Sequence, residues 1–278
     1  MSDAPQPSIP TAAAWALRIG VMMDFLGHGM VGFGLPAPWA SYFGVVGIGR
    51  NAAFELMPWV ALLDLSMAVL ALVYPIRIFV LFMVAWTVWT AALRPLAGEP
   101  FWEAVERAGN FGAPLGLLLI LDGKARWAWF RGRLAGSLTN SRQSALEWGL
   151  RLSTVALLFG HGALGLIVRK PLLAAHYSSL GLEGSLVEPW IGAFEICLAI
   201  VVLLHPSFRI LVFVLVWKLA TELLNPIAGS AFWVFVEHGG SYAAPLALAL
   251  LRESTAQSAR NKTSRENVTV GSGPIVAE

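Results

Sequence analysis

The chain has 278 residues, of which 57% are hydrophobic and 13% are charged, and its formal net charge is +2. The charged fraction is about half that of an average soluble domain, which excludes an ordinary water-soluble enzyme and indicates an integral membrane protein. A single cysteine, Cys197, excludes an internal disulfide and any Cys-based metal or redox motif.

Eight stretches are apolar and long enough to be considered as membrane-spanning helices, since about 20 such residues cross a hydrocarbon layer roughly 30 Å thick. The sequence therefore predicts an all-α polytopic membrane protein with about eight transmembrane helices. In chain order, the stretches lie near residues 13–35, 53–74, 77–94, 101–121, 147–168, 188–204, 208–225 and 231–251.

The eight stretches form two groups of four, separated by a basic segment. Because Lys and Arg concentrate in cytoplasmic loops, this segment, the C-terminal tail and the N-terminus are all predicted to be cytoplasmic. The tail lacks the apolar content needed to fold and is predicted to be disordered. The predicted division is 1–121 for a first four-helix membrane repeat, 122–146 for a cytoplasmic linker, 147–252 for a second four-helix membrane repeat and 253–278 for the tail.

The linker is strongly basic and also aromatic. Its positive residues favour anionic lipid headgroups as a partner rather than nucleic acid. The letters WAWF at 127–130 place two Trp rings where such rings prefer to sit, at the membrane–water interface.

The two groups of four are similar in sequence. FLGHGMVG at 25–32 matches LFGHGALG at 158–165, and RPLAGEPFWEAVERAGNFGAPL matches NPIAGSAFWVFVEHGGSYAAPL farther along each half. We therefore predict two parallel repeats of one four-helix unit. The matched ionisable pairs are His28 with His161, Asp64 with Glu195, and Glu106 with Glu237.

Each half resembles a DoxX-like four-helix integral membrane protein. The resemblance rests on LRIGVMMDFLGHG in the first helix, MPWVALLDLSMAVLAL with its midpoint acid in the second, a tight turn with Arg before the third, and ERAGNFGAPLGLLL in the fourth. It implies a membrane subunit associated with quinone-linked sulfur oxidation or another redox process. We accordingly expect a place in a bacterial inner (plasma) membrane, with partner subunits of a membrane complex.

Ionisable residues inside a bilayer are costly and invite a functional hypothesis with a named partner. At 1.5 Å per residue, the predicted depths bring four side chains together in the outer half of the bilayer in each copy. Gly29 and Gly32 lie on one face of the first helix, where they allow a neighbouring helix to bring its acid close to His28. The predicted groups are His28, Asp64, Arg94 and Glu106 in the first copy, and His161, Glu195, Asn225 and Glu237 in the second.

A histidine with a carboxylate partner can move a proton near neutral pH, or hold one tautomer so that its other nitrogen binds a ligand. The alternative is a structural network that fixes helix packing. No phosphate loop, dinucleotide fingerprint or zinc-ligand spacing is present, and no metal site is predicted. The candidate catalytic residues are Asp24, His28, Asp64, Glu106, His161, Glu195 and Glu237, and the candidate cofactor-binding residues are His28, Arg94 and His161.

The two copies differ at several ionisable positions. Asp24 is four residues before His28, which predicts a pair on one helix face in the first copy only. Lys218 and Glu222 have the same spacing in the second copy, where a mutually neutralised pair is predicted. These two residues match Thr87 and Ala91 of the first copy, whereas His176 and His205 are predicted to lie at the surface.

Three functions remain open from the sequence. The first is a redox subunit that binds a quinone headgroup at the His and acid site and exchanges its protons. The second is a proton- or ion-coupled transporter or channel in which Asp64, Glu106, Glu195 and Glu237 form a relay. The third is a non-catalytic subunit that holds a haem or another tetrapyrrole through His28 and His161.

Overall fold

The computed structural model describes residues 9–123 and 127–271. Within these ranges the chain forms twelve α-helices and no β-strand. The first half contains α1 (Thr11–Phe33), α2 (Ala40–Val45), α3 (Arg50–Val73), α4 (Arg77–Leu96), α5 (Phe101–Glu106) and α6 (Ala108–Ile120). The second half contains α7 (Asn140–Ala163, continued by a π-helical turn Leu164–Val168), α8 (Pro171–Ser178), α9 (Val187–Leu204), α10 (Phe208–Ile227), α11 (Phe232–Val236) and α12 (Gly239–Gly271).

The chain is an all-α membrane protein, as predicted, but the count of eight spans is not supported. Among the described residues, six helices are long and apolar enough to cross a membrane: α3, α4, α7 with its π-helical turn, α9, α10, and α11 together with the start of α12. Polar residues such as Arg18 and Asp24 lower the mean hydropathy of α1, although its 23 residues are long enough. The fourth predicted span is divided at Arg107 into α5 and α6, which are both too short.

The outer surface of the bundle is apolar. Trp59 and Trp190, at matched positions of α3 and α9, are 69% and 71% exposed. Aromatic side chains on such a surface suit contact with lipid. The bilayer is therefore the environment that this surface indicates.

The fourth helices of the two halves are exchanged between the two first helices, although each stays packed on the third helix of its own half, α6 on α4 and α12 on α10. α1 packs along α3 of its own half and along α11 and α12 of the other half, while α7 packs along α9 and along α5 and α6. At the closest approaches, Gly27 meets the backbone of Glu237 and Gly160 meets the backbone of Glu106, and a Cβ at either glycine would overlap that backbone. The prediction that each half supplies all of its own site residues was therefore wrong in part, because Gly27 and Gly160 are covered by the fourth helix of the other half.

Two arginines tie the first helix of each half to the second. Arg18 donates to the carbonyl oxygens of Ala71 and Leu72 near the C-terminus of α3, and Arg151 donates to those of Val202 and Leu203 near the C-terminus of α9. These carbonyl groups lack a partner within their own helix, so the guanidinium groups complete the helix ends.

The structure differs from the sequence-based division at two boundaries. α7 begins at Asn140, where the Thr139 side chain accepts a hydrogen bond from the Arg142 amide, so helix starts within the predicted linker. α12 runs to Gly271, within the segment for which disorder was predicted, and residues 272–278 lie outside the described residues. Of the aromatic linker residues, Trp127 and Phe130 are exposed, as an interfacial position would require.

Candidate functional site

A cavity of about 220 Å³ lies in the first half, beside α2. Residues from α1, α2, α3 and α4 line it, together with residues at the α5–α6 and α11–α12 junctions. The lining includes exposed Val46 and Trp89 at its outer edge, so the cavity opens towards the apolar surface of the bundle. Its aromatic lining residues are Phe25, Trp39, Tyr42, Phe43, Trp86 and Trp89.

His28 and Asp64 form the polar centre of the cavity. His28 Nδ1 lies 2.7 Å from Asp64 Oδ2, and Asp64 is completely buried. The imidazole ring stacks on Trp39, with 4.5 Å between ring centroids. The expected partnership of His28 with an acid is confirmed, and the expected close approach is also present, since Gly29 and Gly32 both face Ala61 of α3.

Asp24 lines the same cavity but does not pair with His28 along the helix. Its Oδ1 atom accepts a hydrogen bond of 2.7 Å from the amide of Gly240, near the N-terminus of α12. Backbone N–H groups in the first turn of a helix have no partner within the helix, so a carboxylate is well placed there. Asp24 therefore joins the two halves, and the predicted pairing on one helix face was wrong.

The cavity contains Glu237, and Glu106 is not among its lining residues. Arg107 Nη1 donates to Glu237 Oε1 over 3.0 Å, which places an ion pair from the two junctions in the cavity wall. Glu106 instead lies beside His161 and Glu222. The prediction that Glu106 joins His28 and that Glu237 joins His161 was wrong, and the exchanged packing of the fourth helices is the reason.

Several buried polar atoms of the cavity residues have no hydrogen-bond partner within the described part of the chain. Leaving such an atom unsatisfied costs about 1–3 kcal/mol, so each of them is an unusual feature of the residues around this cavity. Three are carboxylate oxygens and two are N–H groups. They are Asp24 Oδ2, Asp64 Oδ1, Glu237 Oε2, Trp86 Nε1 and Arg107 Nε.

Arg94 closes one side of the cavity, near the position expected for it. It donates to Glu99 Oε2 over 3.0 Å and to Glu103 Oε2 over 3.4 Å. The Tyr42 hydroxyl donates to the other Glu99 oxygen, and burial raises the pKa of Tyr42 to about 12, so this group remains a donor at neutral pH. The arginine charge is thus already balanced by two acids, and Arg94 acts as part of the wall.

A second buried cluster surrounds His161. His161 Nδ1 lies 2.5 Å from Glu195 Oε2, and Trp217 Nε1 donates to the other Glu195 oxygen over 2.8 Å. Lys218 Nζ lies 2.6 Å from Glu222 Oε1, in the ion pair predicted from their spacing. In the first half, the matched residues Thr87 and Ala91 line the cavity. The second half therefore has two long charged side chains at the positions where the first half has two short side chains beside open space.

The two histidines that were predicted to lie at the surface differ in their exposure. His205 is exposed, as predicted. His176 is only 4% exposed, so the prediction of a surface position was wrong. α8 folds back against α9 and α10 and carries His176 inwards, close enough to interact electrostatically with Glu222 and His161.

Sequence reasoning missed part of the cavity wall. Nothing in the sequence marks Trp39, Tyr42 and Trp86 as cavity residues, because aromatic side chains occur along most of the predicted spans. Arg107 did give a signal, because it is an arginine next to Glu106 in the middle of a predicted span.

These features define the class of protein: an all-α membrane protein with a histidine–carboxylate cavity whose lining includes exposed apolar residues. No protein-family model matches the chain, and no curated protein or solved structure is significantly similar to it.

Proposed function

We propose that the protein binds a small quinone-class molecule in the His28 cavity and exchanges protons with it, as a redox-associated membrane subunit of the DoxX-like type. The observation that carries this proposal is the set of unpartnered buried donors and acceptors around one aromatic-walled cavity. A cavity of about 150 Å³ is large enough for benzene, so about 220 Å³ suits a single substituted ring.

The mixture of unpartnered groups favours a ligand that changes between hydrogen-bond acceptor and donor. A quinone carbonyl accepts hydrogen bonds, for which Trp86 Nε1–H and Arg107 Nε–H are available. A quinol hydroxyl also donates, for which the carboxylate oxygens of Asp24, Asp64 and Glu237 are available. One cavity would therefore satisfy both forms of the same molecule.

His28 is the group we propose for proton exchange. The Asp64 carboxylate accepts the Nδ1–H bond, which leaves Nε2 as the nitrogen that gains or loses a proton. A neutral imidazole accepts a proton from a quinol, and the imidazolium donates one to a reduced quinone. A redox cofactor of a partner subunit would accept the two electrons when a quinol is oxidised, or supply them when a quinone is reduced, since electron transfer belongs to cofactors rather than to these side chains.

The two halves differ in their suitability for this role. We propose that they arose as two parallel repeats, and that the first half kept the ligand cavity. Short side chains at Thr87 and Ala91 leave room beside His28, whereas Lys218 and Glu222 stand at the matched positions beside His161.

A binding experiment tests this proposal. The probe is decyl-ubiquinone, added to the full chain in detergent, and the readout is quenching of Trp fluorescence, which Trp39, Trp86 and Trp89 would report. We expect saturable quenching that His28→Ala weakens at least tenfold, while His161→Ala, the matched variant in the second half, leaves it unchanged. Absence of saturable binding by the wild-type protein contradicts the proposal.

A proton-coupled transporter is the second candidate, because buried carboxylates in both halves could form a relay. The buried acids Asp64, Glu195 and Glu222 are the observation that favours it. The test is a pH gradient imposed across proteoliposomes that contain a pH-sensitive dye. A transporter would give a proton flux that the dye reports and that Asp64→Asn removes. The tetrapyrrole alternative has less support, since the cavity is lined by His28 and not by His161.

A further inference from the structure

The cluster around His161 contains a set of side chains suited to a metal ion. Glu106 of α5, His161 of α7 and Glu222 of α10 each offer one ligand atom, and these atoms lie within 4.8 Å of one another. All three residues are buried. Bonds from a divalent transition metal to oxygen or nitrogen are about 2.0–2.2 Å long, so small side-chain rotations would bring the three atoms onto one ion.

The imidazole of His161 is held as a metal-binding imidazole usually is. Glu195 engages Nδ1 at 2.5 Å, which leaves Nε2 as the available ligand atom. Trp217 in turn fixes Glu195 through a hydrogen bond of 2.8 Å. A carboxylate behind a ligating histidine sets its tautomer and orientation and raises its basicity.

A fourth side chain nearby points independently to a ligand. His176 is 4% exposed, and its Nε2 atom has no hydrogen-bond partner within the described residues. The ring is close enough to interact electrostatically with Glu222, His161 and Glu106.

The charge of the cluster is unbalanced. Its carboxylates belong to Glu106, Glu195 and Glu222, and Lys218 supplies one ammonium group, 2.6 Å from Glu222. The nearby cations Lys170 and Arg107 are already paired, with Glu103 and Glu237 respectively. When His161, His176 and His238, whose Nδ1 atom lies 3.5 Å from Glu222, are all neutral, the cluster carries an excess of two negative charges, and isolated charges are costly away from water.

We propose that Glu106, His161 and Glu222 bind one divalent transition-metal ion, with the unpartnered His176 imidazole beside them. A divalent ion supplies the two positive charges that the cluster lacks. Mixed imidazole and carboxylate ligands suit ions such as Zn²⁺, Fe²⁺ or Mn²⁺. The Lys218 ammonium remains outside the ligand set, because a carboxylate oxygen has two lone pairs and can accept from Lys218 while it binds the ion.

The site is separate from the His28 cavity and does not rest on quinone binding. It has three ligands from three helices of both halves, so a bound ion would join α5 of the first half to α7 and α10 of the second. The ion would thus lock the exchanged packing of the fourth helices.

The test uses Co²⁺ as a coloured probe, with the full chain in detergent after treatment with a chelator. We expect one equivalent of Co²⁺ to bind with visible absorption bands, and Zn²⁺ to displace it. Glu106→Gln and His161→Ala should abolish these bands, while Glu195→Gln should weaken binding by about 10–100-fold. Lys218→Met should strengthen binding, because it removes a positive charge from beside the ion.

His28→Ala is the matched control, because His28 corresponds to His161 in sequence but lies at the cavity of the first half. This variant should bind Co²⁺ as tightly as the wild type. Glu106→Gln preserves side-chain shape and serves if His161→Ala does not fold. The proposal is overturned if the wild-type protein binds no Co²⁺, or if Glu106→Gln binds it as tightly as the wild type. In that case, protonated histidines would balance the negative charge of the cluster.

Discussion

Glu106 and Arg107 are neighbours in the chain, yet their side chains belong to different sites. Glu106 lies with His161 and Glu222, while Arg107 donates to Glu237 in the wall of the His28 cavity. The junction between α11 and α12 repeats this division, because Glu237 lies at the His28 cavity while His238 Nδ1 lies 3.5 Å from Glu222. The α5–α6 and α11–α12 junctions therefore lie between the two sites and contribute side chains to both.

The ion pair between the junctions should hold the exchanged helices together. Removing either Arg107 or Glu237 leaves a buried charge without a partner, which costs about 3–5 kcal/mol. We expect Arg107→Met and Glu237→Met each to lower the free energy of unfolding, and the double variant to lose much less than the sum. A double-mutant cycle from denaturation in detergent measures this coupling, and additive losses would show that the two residues do not interact.

Close packing at Gly27 should be intolerant of a side chain. A Cβ there would overlap the backbone of Glu237, which cannot move without shifting a helix. We expect Gly27→Ala to destabilise the protein by about 1–3 kcal/mol, the usual cost of overpacking. Gly44→Ala is the control, because nothing lies within 4 Å of a Cβ at that position. Equal melting temperatures for the two variants would contradict the observed packing.

The cavity should be filled when the short side chains of Thr87 and Ala91 are replaced by the long charged side chains found at the matched positions of the second half. In the double variant Thr87→Lys and Ala91→Glu, the new pair would occupy space beside His28 and form the ion pair seen between Lys218 and Glu222. We expect loss of decyl-ubiquinone binding with retention of helical content by circular dichroism. Retained binding of the probe would place its site elsewhere.

Acid should weaken the protein partly through His176. Burial lowers the pKa of His176 in the folded state, so the unfolded chain takes up a proton first as the pH falls. The contribution of His176 to the free energy of unfolding is therefore fully present above the unfolded pKa of about 6.5 and is lost as the pH falls below it. We expect His176→Phe to reduce the loss of melting temperature between about pH 7 and pH 5 in metal-free protein. An unchanged pH dependence would mean that this imidazole does not titrate differently on folding.

Orientation in the membrane can be tested by labelling single cysteines in a Cys197→Ser background. The concentration of Lys and Arg in the linker predicts that Asn140→Cys is cytoplasmic and that Leu172→Cys faces the other side. An impermeant thiol reagent added outside cells should label position 172 only. Labelling of position 140 without position 172 would reverse the topology.

The local parts of both sites were predictable from sequence. Helical depth alone brought His28 to Asp64 and His161 to Glu195, because the long helices involved follow one another in the chain with only short helices between them. Gly29 also indicated where α3 would approach. These relationships depend on periodicity and chain connection, which a single sequence contains.

The exchange of the fourth helices was not predictable in the same way. The segments around Glu106 and Glu237 match each other so closely that either could fit against Gly27 or Gly160. Periodicity does not distinguish two partners with the same pattern, and only the packed structure does. The burial of His176 was missed for a related reason, since α8 is a short helix whose inward face depends on contacts with α9 and α10.

The exchanged packing has a consequence for synthesis of the chain. The His28 cavity needs Glu237 and the Gly240 amide, which leave the ribosome long after α1 has entered the membrane. Until then Asp24 of α1 lacks the Gly240 amide, whereas His28 already has its partner Asp64 on α3. A nascent chain halted after α6 would therefore present the Asp24 carboxylate to lipid or to the insertion machinery, and the second half would act on arrival as an intramolecular chaperone for the first.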